Sequence, residues 1–97
     1  LQVLHILQES LSNIRKHAGA TQVDVELLSE GECRLTVQDN GKGFDVKQNA
    51  GDTHVGIRIM RERAHRMGAN FTLESTLGSG TKVSLTWAVT PMTTGAI

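Results

Sequence analysis

Residues 33–43 read CRLTVQDNGKG, and this stretch decides how the rest of the chain is arranged. Residues 33–38 alternate between apolar and polar side chains, which predicts a strand with one buried face. Asp39 stands where this strand stops, so its carboxylate can accept a hydrogen bond from an amino group such as the exocyclic amine of adenine. Gly41 and Gly43 permit a positive φ and leave no Cβ in the way of a flat base or a phosphate. The alternative is a simple hairpin turn, because Asp and Asn before Gly are ordinary turn residues.

The composition of the 97-residue chain limits its size class and its partners. A chain of this length forms one domain with a thin core, and because it opens at Leu1 without an initiator Met we expect a fragment of a longer protein. Ten basic and ten acidic residues cancel and are interspersed, so we expect no nucleic acid partner. The single cysteine, Cys33, excludes an internal disulfide and argues against a cysteine metal site. With no membrane-length apolar run and no signal peptide pattern, we expect a soluble, cytoplasmic domain.

An amphipathic helix is predicted over residues 1–18, with Gly19 as its end. At 100° per residue, Glu9, Asn13 and Lys16 form a narrow polar stripe on the side opposite the apolar residues, and His17 lies at its edge. The apolar side, which we expect to face the core, consists of Val3, Leu4, Leu7, Leu11, Ile14 and Ala18.

The polar stripe of this helix carries groups that suit a phosphorylated ligand with a metal ion. Asn is a poor residue for a helix interior, but its carbonyl oxygen is a good ligand for Mg²⁺, so Asn13 is the candidate metal ligand. Lys16 can meet phosphate oxygens, and Glu9 can hold a water molecule or accept a proton. The alternative is a solvated helix face whose polar residues are merely neighbours.

Four segments with a period of two predict two antiparallel hairpins. Residues 21–27 pair with the strand that ends at Asp39, and we expect one face of this hairpin to be buried. Residues 70–75 and 82–87 form the second hairpin around the glycine-rich turn 76–81. The last residues, 91–97, have no pattern and are expected to fray.

The segment 44–55 has no periodicity, which favours a mobile loop that acts as a lid. Gly56 follows it and is predicted to open a helix that Gly68 closes. Free backbone N–H groups and the positive end of the helix dipole would make that helix start a seat for phosphate. The alternative is a flexible start to a helix with no ligand.

These motifs together resemble the GHKL ATP-binding domain of sensor histidine kinases. The resemblance covers residues 1–88, and residues 89–97 are expected to be a disordered tail. It rests on four boxes that occur in order: Glu9-x-x-x-Asn13-x-x-Lys16-His17, Asp39-x-Gly41-x-Gly43, Gly56 at a helix start, and Gly78-x-Gly80-Thr81. Within the family, residues 56–64 and Lys16-His17 look most like the nitrate/nitrite sensor kinases. The resemblance implies an α/β (α+β) sandwich of the Bergerat type, with helices on one face of a mixed, mostly antiparallel sheet. It also implies that ATP and Mg²⁺ bind between the first helix and the lid.

The resemblance also implies a role for each matched position. Asn13 matches the Mg²⁺ ligand, Glu9 the acidic position one helical turn before it, and Asp39 the aspartate that pairs with the adenine amine. Glu9, Asn13 and Lys16 are the candidate catalytic residues. The candidate nucleotide-binding residues are Asn13, Lys16, His17, Asp39, Gly41, Gly43, His54, Val55, Gly56, Ile57, Gly80 and Thr81.

The chain departs from the family pattern in three places. His54 stands where many relatives have the first glycine of a Gly-x-Gly pair, and its ring would narrow the lid or touch phosphate. No phenylalanine-rich box is present, which leaves Phe44 as the only aromatic residue near the lid. The strand and helix that usually precede the first motif are missing.

The phosphoacceptor histidine of such kinases lies in a separate dimerisation domain, and no histidine of this chain sits in a matching motif. The resemblance therefore implies a monomeric fragment that binds nucleotide without autophosphorylation. The resemblance also implies that this fragment is the cytoplasmic part of a homodimeric, membrane-anchored sensor that signals to a response regulator. Three alternatives stay open: a self-contained ATPase like gyrase or heat-shock chaperones, an anti-sigma serine kinase, and an interaction module in which the glycines only turn the chain.

Overall fold

The computed structural model describes residues 2–45 and 52–88, with the side chains of residues 17–18 and 52–54 excepted. The predicted residues 89–97 of the tail and residues 46–51 of the loop lie outside this part of the chain. In chain order, the elements are helix α1 (Gln2–Asn13), a π-helical turn (Ile14–Ala18), strand β1 (Val23–Glu30), strand β2 (Glu32–Asp39), helix α2 (Asp52–Arg66), strand β3 (Asn70–Thr76) and strand β4 (Gly80–Ala88).

The four strands form one sheet in the order β1-β2-β4-β3, and every neighbouring pair of described strands is antiparallel. Both predicted hairpins are present, and the central contact between β2 and β4 joins them. That contact sets Asp39 opposite Thr81. The predicted α+β architecture is confirmed, although the described strands form an antiparallel sheet rather than a mixed one.

A small core lies between the two helices and one face of the sheet. Side chains that alternate along β2 and β4 point toward the helices, as a period of two requires. The buried apolar residues are Ile6, Leu35, Val37, Ile57, Met60, Ala64, Val83 and Leu85. Both helices therefore cover the same face of β2 and β4, in two layers.

The predicted orientation of α1 is only partly right, because Val3, Leu7 and Ile14 pack against the core as expected but other residues do not. Ile6 and Ser10 are its buried residues, whereas Leu4 and Leu11, expected in the core, are exposed. The apolar residues of this helix spread over an arc of about 160° at 100° per residue, so periodicity alone could not show which part of the arc meets the sheet. The observed rotation brings Glu9 and Asn13 to the edge of the core instead of the opposite side.

The prediction that β1 buries one face is also wrong. Val25 lies opposite Val37 and Leu27 opposite Leu35, so these side chains share the face that the helices cover on β2. Every residue of β1 is nevertheless exposed. Alternation shows that two faces of a strand differ, but it does not show whether another layer reaches the apolar one.

Helix α2 begins at Asp52, four residues earlier than Gly56, which was predicted to open it. Asp and Thr are common at helix starts, and the pair Asp52-Thr53 was missed as a start signal. Residues 52–55 are therefore helical rather than part of a lid. Since only the first four N–H groups of a helix lack partners within it, Gly56 lies too far along α2 to offer a free N–H to phosphate.

Candidate functional site

A cavity of about 220 Å³ opens at the end of the sheet where β2 stops and β4 starts. Both helices and the segment after β2 complete its walls. Most of its lining is apolar, from Ile14, Val37, Phe44, Ile57, Met60, Leu73 and Val83. The polar groups in the lining belong to Ser10, Asn13, Asp39, Lys42 and Thr81. An apolar cavity with a few convergent polar groups is typical of a site for a flat organic ligand.

Asp39 is the buried acidic residue of this cavity. It is the last residue of β2, and only 5% of its surface is exposed. Its Oδ1 accepts a hydrogen bond of 2.7 Å from the Gly41 N–H, while Oδ2 has no hydrogen-bond partner among residues 2–45 and 52–88. A buried carboxylate oxygen without a partner is costly, so a ligand that donates a hydrogen bond there would be strongly favoured.

Two glycines allow neighbouring backbone segments to pack closely beside Asp39. Gly43 has a φ of 62°, and a Cβ on it would overlap the Thr76 carbonyl oxygen. Gly80 has a φ of 84°, and a Cβ on it would overlap the Asp39 carbonyl oxygen. Both positions combine a backbone conformation that suits glycine with a contact that excludes any side chain. Gly41 is buried, but its φ is not positive, so its contribution is the N–H that Asp39 accepts.

Asn13 lies at the other side of the cavity, where α1 meets α2. It is half-buried, and the chain changes from α-helix to π-helix immediately after it. A Cβ on Gly56 would lie 3.0 Å from Asn13 Nδ2, 3.2 Å from Asn13 Oδ1 and 3.4 Å from Glu9 Cδ. Gly56 thus gives the amide and the carboxylate room beneath α2, which is a packing role rather than the predicted helix start.

The sequence matches the family described as histidine kinase-, DNA gyrase B-, and HSP90-like ATPase over residues 1–91. The chain belongs to this ATPase family. Sensor histidine kinase YhcY of Bacillus subtilis is 42% identical over 81 residues, which are 82% of this chain and 21% of that protein. Sensor protein VraS of Staphylococcus aureus is 39% identical over 84 residues, 86% of this chain and 24% of that protein. The chain thus spans less than a quarter of the length of these two relatives.

Solved structures agree on the fold of this ATPase-family domain. The histidine kinase domain of the Erythrobacter litoralis EL346 blue-light activated histidine kinase superposes with a TM-score of 0.70 at 26% identity. The match covers 90% of this chain and 43% of that one. With the family match and the two sensor kinases, it identifies the chain as a catalytic ATP-binding domain of the histidine kinase type.

Several of the predicted site residues lie together in this ATPase-family domain. Asn13, Asp39, Gly43, Ile57 and Thr81 all line the cavity, although they come from distant parts of the sequence. Gly41, Gly56 and Gly80 contact these residues without lining the cavity, and Glu9 lies next to Gly56.

Other predicted residues lie apart from the cavity or cannot be placed. Lys16 and Val55 are exposed and do not line it. The side chains of His17 and His54 lie outside the described part of the chain. Lys42, inside the motif that decided the fold, lines the cavity and is the basic residue that sequence reasoning passed over.

Ser10 and Met60 are lining residues that the sequence did not single out. The Ser10 hydroxyl donates to the Ile6 carbonyl oxygen at 2.9 Å and lies 3.2 Å from Met60 Sδ. Both side chains are almost fully buried. Ser10 could have been predicted from the sequence, because it lies one turn from Asn13 and next to Glu9. It was missed because the apolar side of α1 was misplaced.

Asn40 has a structural role in the domain. Its Oδ1 accepts hydrogen bonds of 2.9 Å from the backbone N–H groups of both Thr21 and Gln22. Its Nδ2 donates to Thr21 Oγ1 at 2.8 Å. The amide therefore holds the end of β2 against the residues just before β1.

Neither a protein-only metal site nor a membrane helix is found in the described residues. No three His, Cys, Asp or Glu side chains are grouped closely enough to hold a metal ion in the part of the chain that the structure covers. Neither α1 nor α2 is long and apolar enough to cross a bilayer.

Proposed function

We propose that the cavity binds ATP with the adenine ring between the apolar side chains and its amine on Asp39. The observation that carries this proposal is the buried Asp39 carboxylate, with Oδ1 held by Gly41 and Oδ2 without a partner among the described residues. The amine of adenine donates hydrogen bonds, whereas the guanine ring presents an acceptor oxygen at the equivalent position. Thr81, opposite Asp39 in the sheet, is a second polar group for the base.

The phosphates would extend from the base toward α1 and α2, where the remaining polar candidates lie. Asn13 Oδ1 suits Mg²⁺, which usually takes one or two protein oxygens and completes its shell with phosphate oxygens and water. Mg²⁺ would neutralise phosphate charge. Lys42 and Lys16 are the lysines that we assign to phosphate contacts, and His17, His54, Val55, Gly56 and Ile57 are proposed to lie beside the phosphates.

In the longer protein, we propose that this domain phosphorylates a histidine. The bond between the γ-phosphorus and the β–γ bridging oxygen breaks, a nitrogen–phosphorus bond forms on a histidine of a separate dimerisation domain, and ADP leaves. The phosphoryl group then passes to an aspartate of a response regulator. The names of the relatives, a sensor histidine kinase and a sensor protein, support this reading. Positioning and charge neutralisation would supply most of the catalysis, with Glu9 as the candidate proton acceptor or water holder.

The oligomeric state and the cellular location of the longer protein are also proposals. We propose a homodimer anchored in a membrane, with this domain on the cytoplasmic side and monomeric when alone. The narrower likeness to nitrate/nitrite sensors stays a prediction, because YhcY and VraS do not carry that description.

Titration of the chain with a fluorescent ATP analogue, with and without Mg²⁺, tests the proposed function. We expect binding that Mg²⁺ strengthens, and Asn13→Ala should reduce the Mg²⁺ effect while the melting temperature is kept, since Ala favours a helix. No binding at millimolar nucleotide would refute the ATP site and favour an interaction module. An equal Mg²⁺ effect in both proteins would remove Asn13 as the ligand. Phosphate release by the chain alone would favour the self-contained ATPase over the kinase.

A further inference from the structure

The wall of the cavity formed by residues 42–44 belongs to no helix or strand. Lys42, Gly43 and Phe44 all line the cavity, so the position of this short segment determines the shape of the space beside Asp39. A segment without its own regular hydrogen bonds keeps one position only if neighbouring elements hold its backbone groups. The groups that hold it come from the hairpin of β3 and β4.

Two backbone groups of the wall are tied to that hairpin. The Gly78 N–H in the turn donates to the Lys42 carbonyl oxygen at 2.6 Å. The Phe44 N–H donates to the Ser75 hydroxyl oxygen at 2.9 Å. Between these bonds, Gly43 packs directly on the Thr76 backbone. Ser75 is the residue whose side chain takes part in this attachment.

The Ser75 hydroxyl also reaches the opposite wall of the cavity. It lies 3.2 Å from the Gly80 carbonyl oxygen and 2.8 Å from Thr81 Oγ1. A serine hydroxyl has one proton to donate and two lone pairs to accept with. Donation to Gly80 and acceptance from Phe44 and Thr81 use all three, so the hydroxyl is fully engaged in one defined arrangement.

Ser75 itself does not line the cavity. It joins the segment that carries Phe44 to the start of β4, which carries Thr81 and contacts the Asp39 backbone through Gly80. We propose that Ser75 is a positioning residue for nucleotide binding, which fixes the distance between the two walls that receive the adenine ring. This inference rests on the proposed ATP site and adds to it a residue that touches no ligand.

Binding of ATP, ADP and adenosine to the wild-type chain and to Ser75→Ala tests the inference. Loss of one positioned hydrogen bond predicts a fall in affinity of about 3- to 10-fold. The factor should be similar for all three ligands, because the hydroxyl acts at the base end. Ser75→Thr keeps the hydroxyl and should restore affinity to within about 2-fold of wild type. Ser79→Ala is the matched control, since Ser79 lies exposed in the same hairpin turn.

A second measurement follows the contact without any ligand. Amide hydrogen exchange at Phe44 should be faster in Ser75→Ala than in wild type, Ser75→Thr or Ser79→Ala. If Ser75→Ala does not fold, the comparison is made between Ser75→Thr and Ser75→Val, which match in shape and differ in the hydroxyl. Unchanged affinity in the variant without a hydroxyl, or no recovery with Thr, would overturn the inference. If wild type binds no ATP, the proposed function fails, and the Phe44 exchange rates still decide whether Ser75 holds the wall.

Discussion

Strands β1 and β2 are partners in one hairpin, but their apolar faces have different surroundings. Leu35 and Val37 of β2 are buried beneath the helices, whereas Leu27 and Val25, directly opposite them, are about half or more exposed. The side chains are of the same types, and the backbone pairing is equally regular. What differs is the helix layer, which covers β2 and β4 and stops short of β1.

The difference separates the strands that form the core and the candidate site from the strand that contributes little to either. The buried side of the sheet ends in Asp39 and the cavity, so the core and the site share the same strands. The exposed side of β1 carries a continuous apolar surface at the edge of the sheet, with Leu4 and Leu11 of α1 also exposed. Substitutions should therefore act strongly in the first region and weakly in the second.

The largest difference is expected between two leucines. Leu85→Ala in β4 removes a fully buried side chain and should lower the free energy of unfolding by about 2 to 5 kcal/mol. Leu27→Ala in β1 removes a side chain that is 64% exposed and should change it by less than about 0.5 kcal/mol. Urea unfolding of both variants measures the two values. Similar losses in both would mean that the face of β1 is covered in solution.

Two glycines with similar backbone conformations give the next comparison. Gly80 and Gly31 have φ values of 84° and 77°, but a Cβ on Gly31 meets nothing within 4 Å. Gly31→Ala should lower stability by about 1 to 2 kcal/mol through backbone strain alone. Gly80→Ala adds a collision with the Asp39 backbone and should lower stability by roughly 2 to 4 kcal/mol.

Nucleotide binding separates the two glycine variants further. Gly80→Ala should weaken ATP binding because the Asp39 carboxylate shifts, whereas Gly31→Ala should bind as wild type does. Thermal unfolding and ATP titration of the same samples provide both readouts. Equal ATP affinities in the two folded variants would contradict the close contact between Gly80 and Asp39.

Two aspartates test the site itself. Asp39→Asn leaves one acceptor and adds a donor that faces the adenine amine, so ATP binding should weaken by about 1.5 to 3 kcal/mol. Asp24→Asn on β1 changes an exposed carboxylate that accepts from Gln22 Nε2 at 3.2 Å and should leave ATP binding unchanged. Isothermal titration measures both. An Asp39→Asn protein that is folded and binds ATP like wild type would disprove the assignment of the base.

The smallest effect is expected for Val25→Thr, which places a hydroxyl on the exposed face of β1. Because this group stays hydrated, the free energy of unfolding should change by less than about 0.5 kcal/mol. Val37→Thr, directly opposite on β2, buries the same hydroxyl and should lower it by about 1 to 3 kcal/mol. Thermal unfolding distinguishes the two, and a loss above about 1 kcal/mol for Val25→Thr would break the contrast between the strands.

The sequence by itself determined the type and the order of the helices and strands. The periods of two and of 3.6 residues indicated two hairpins and two helices, because side-chain direction follows backbone geometry within one element. The run at residues 39–43 predicted Asp39 as the acidic residue for a base, because it places a carboxylate beside two glycines at the end of a strand.

Only the tertiary structure decided which apolar surfaces are covered and how the elements meet. The rotation of α1 depends on its contact with the sheet, so Ile6 and Ser10 were missed while Leu4 and Leu11 were overvalued. The start of α2 at Asp52 made Gly56 a packing position beside Asn13 instead of the predicted helix start. The pairing of β2 with β4 brought Thr81 opposite Asp39 and the Ser75 hydroxyl within reach of both walls. Such contacts join residues far apart in the chain, and no local period or motif contains them.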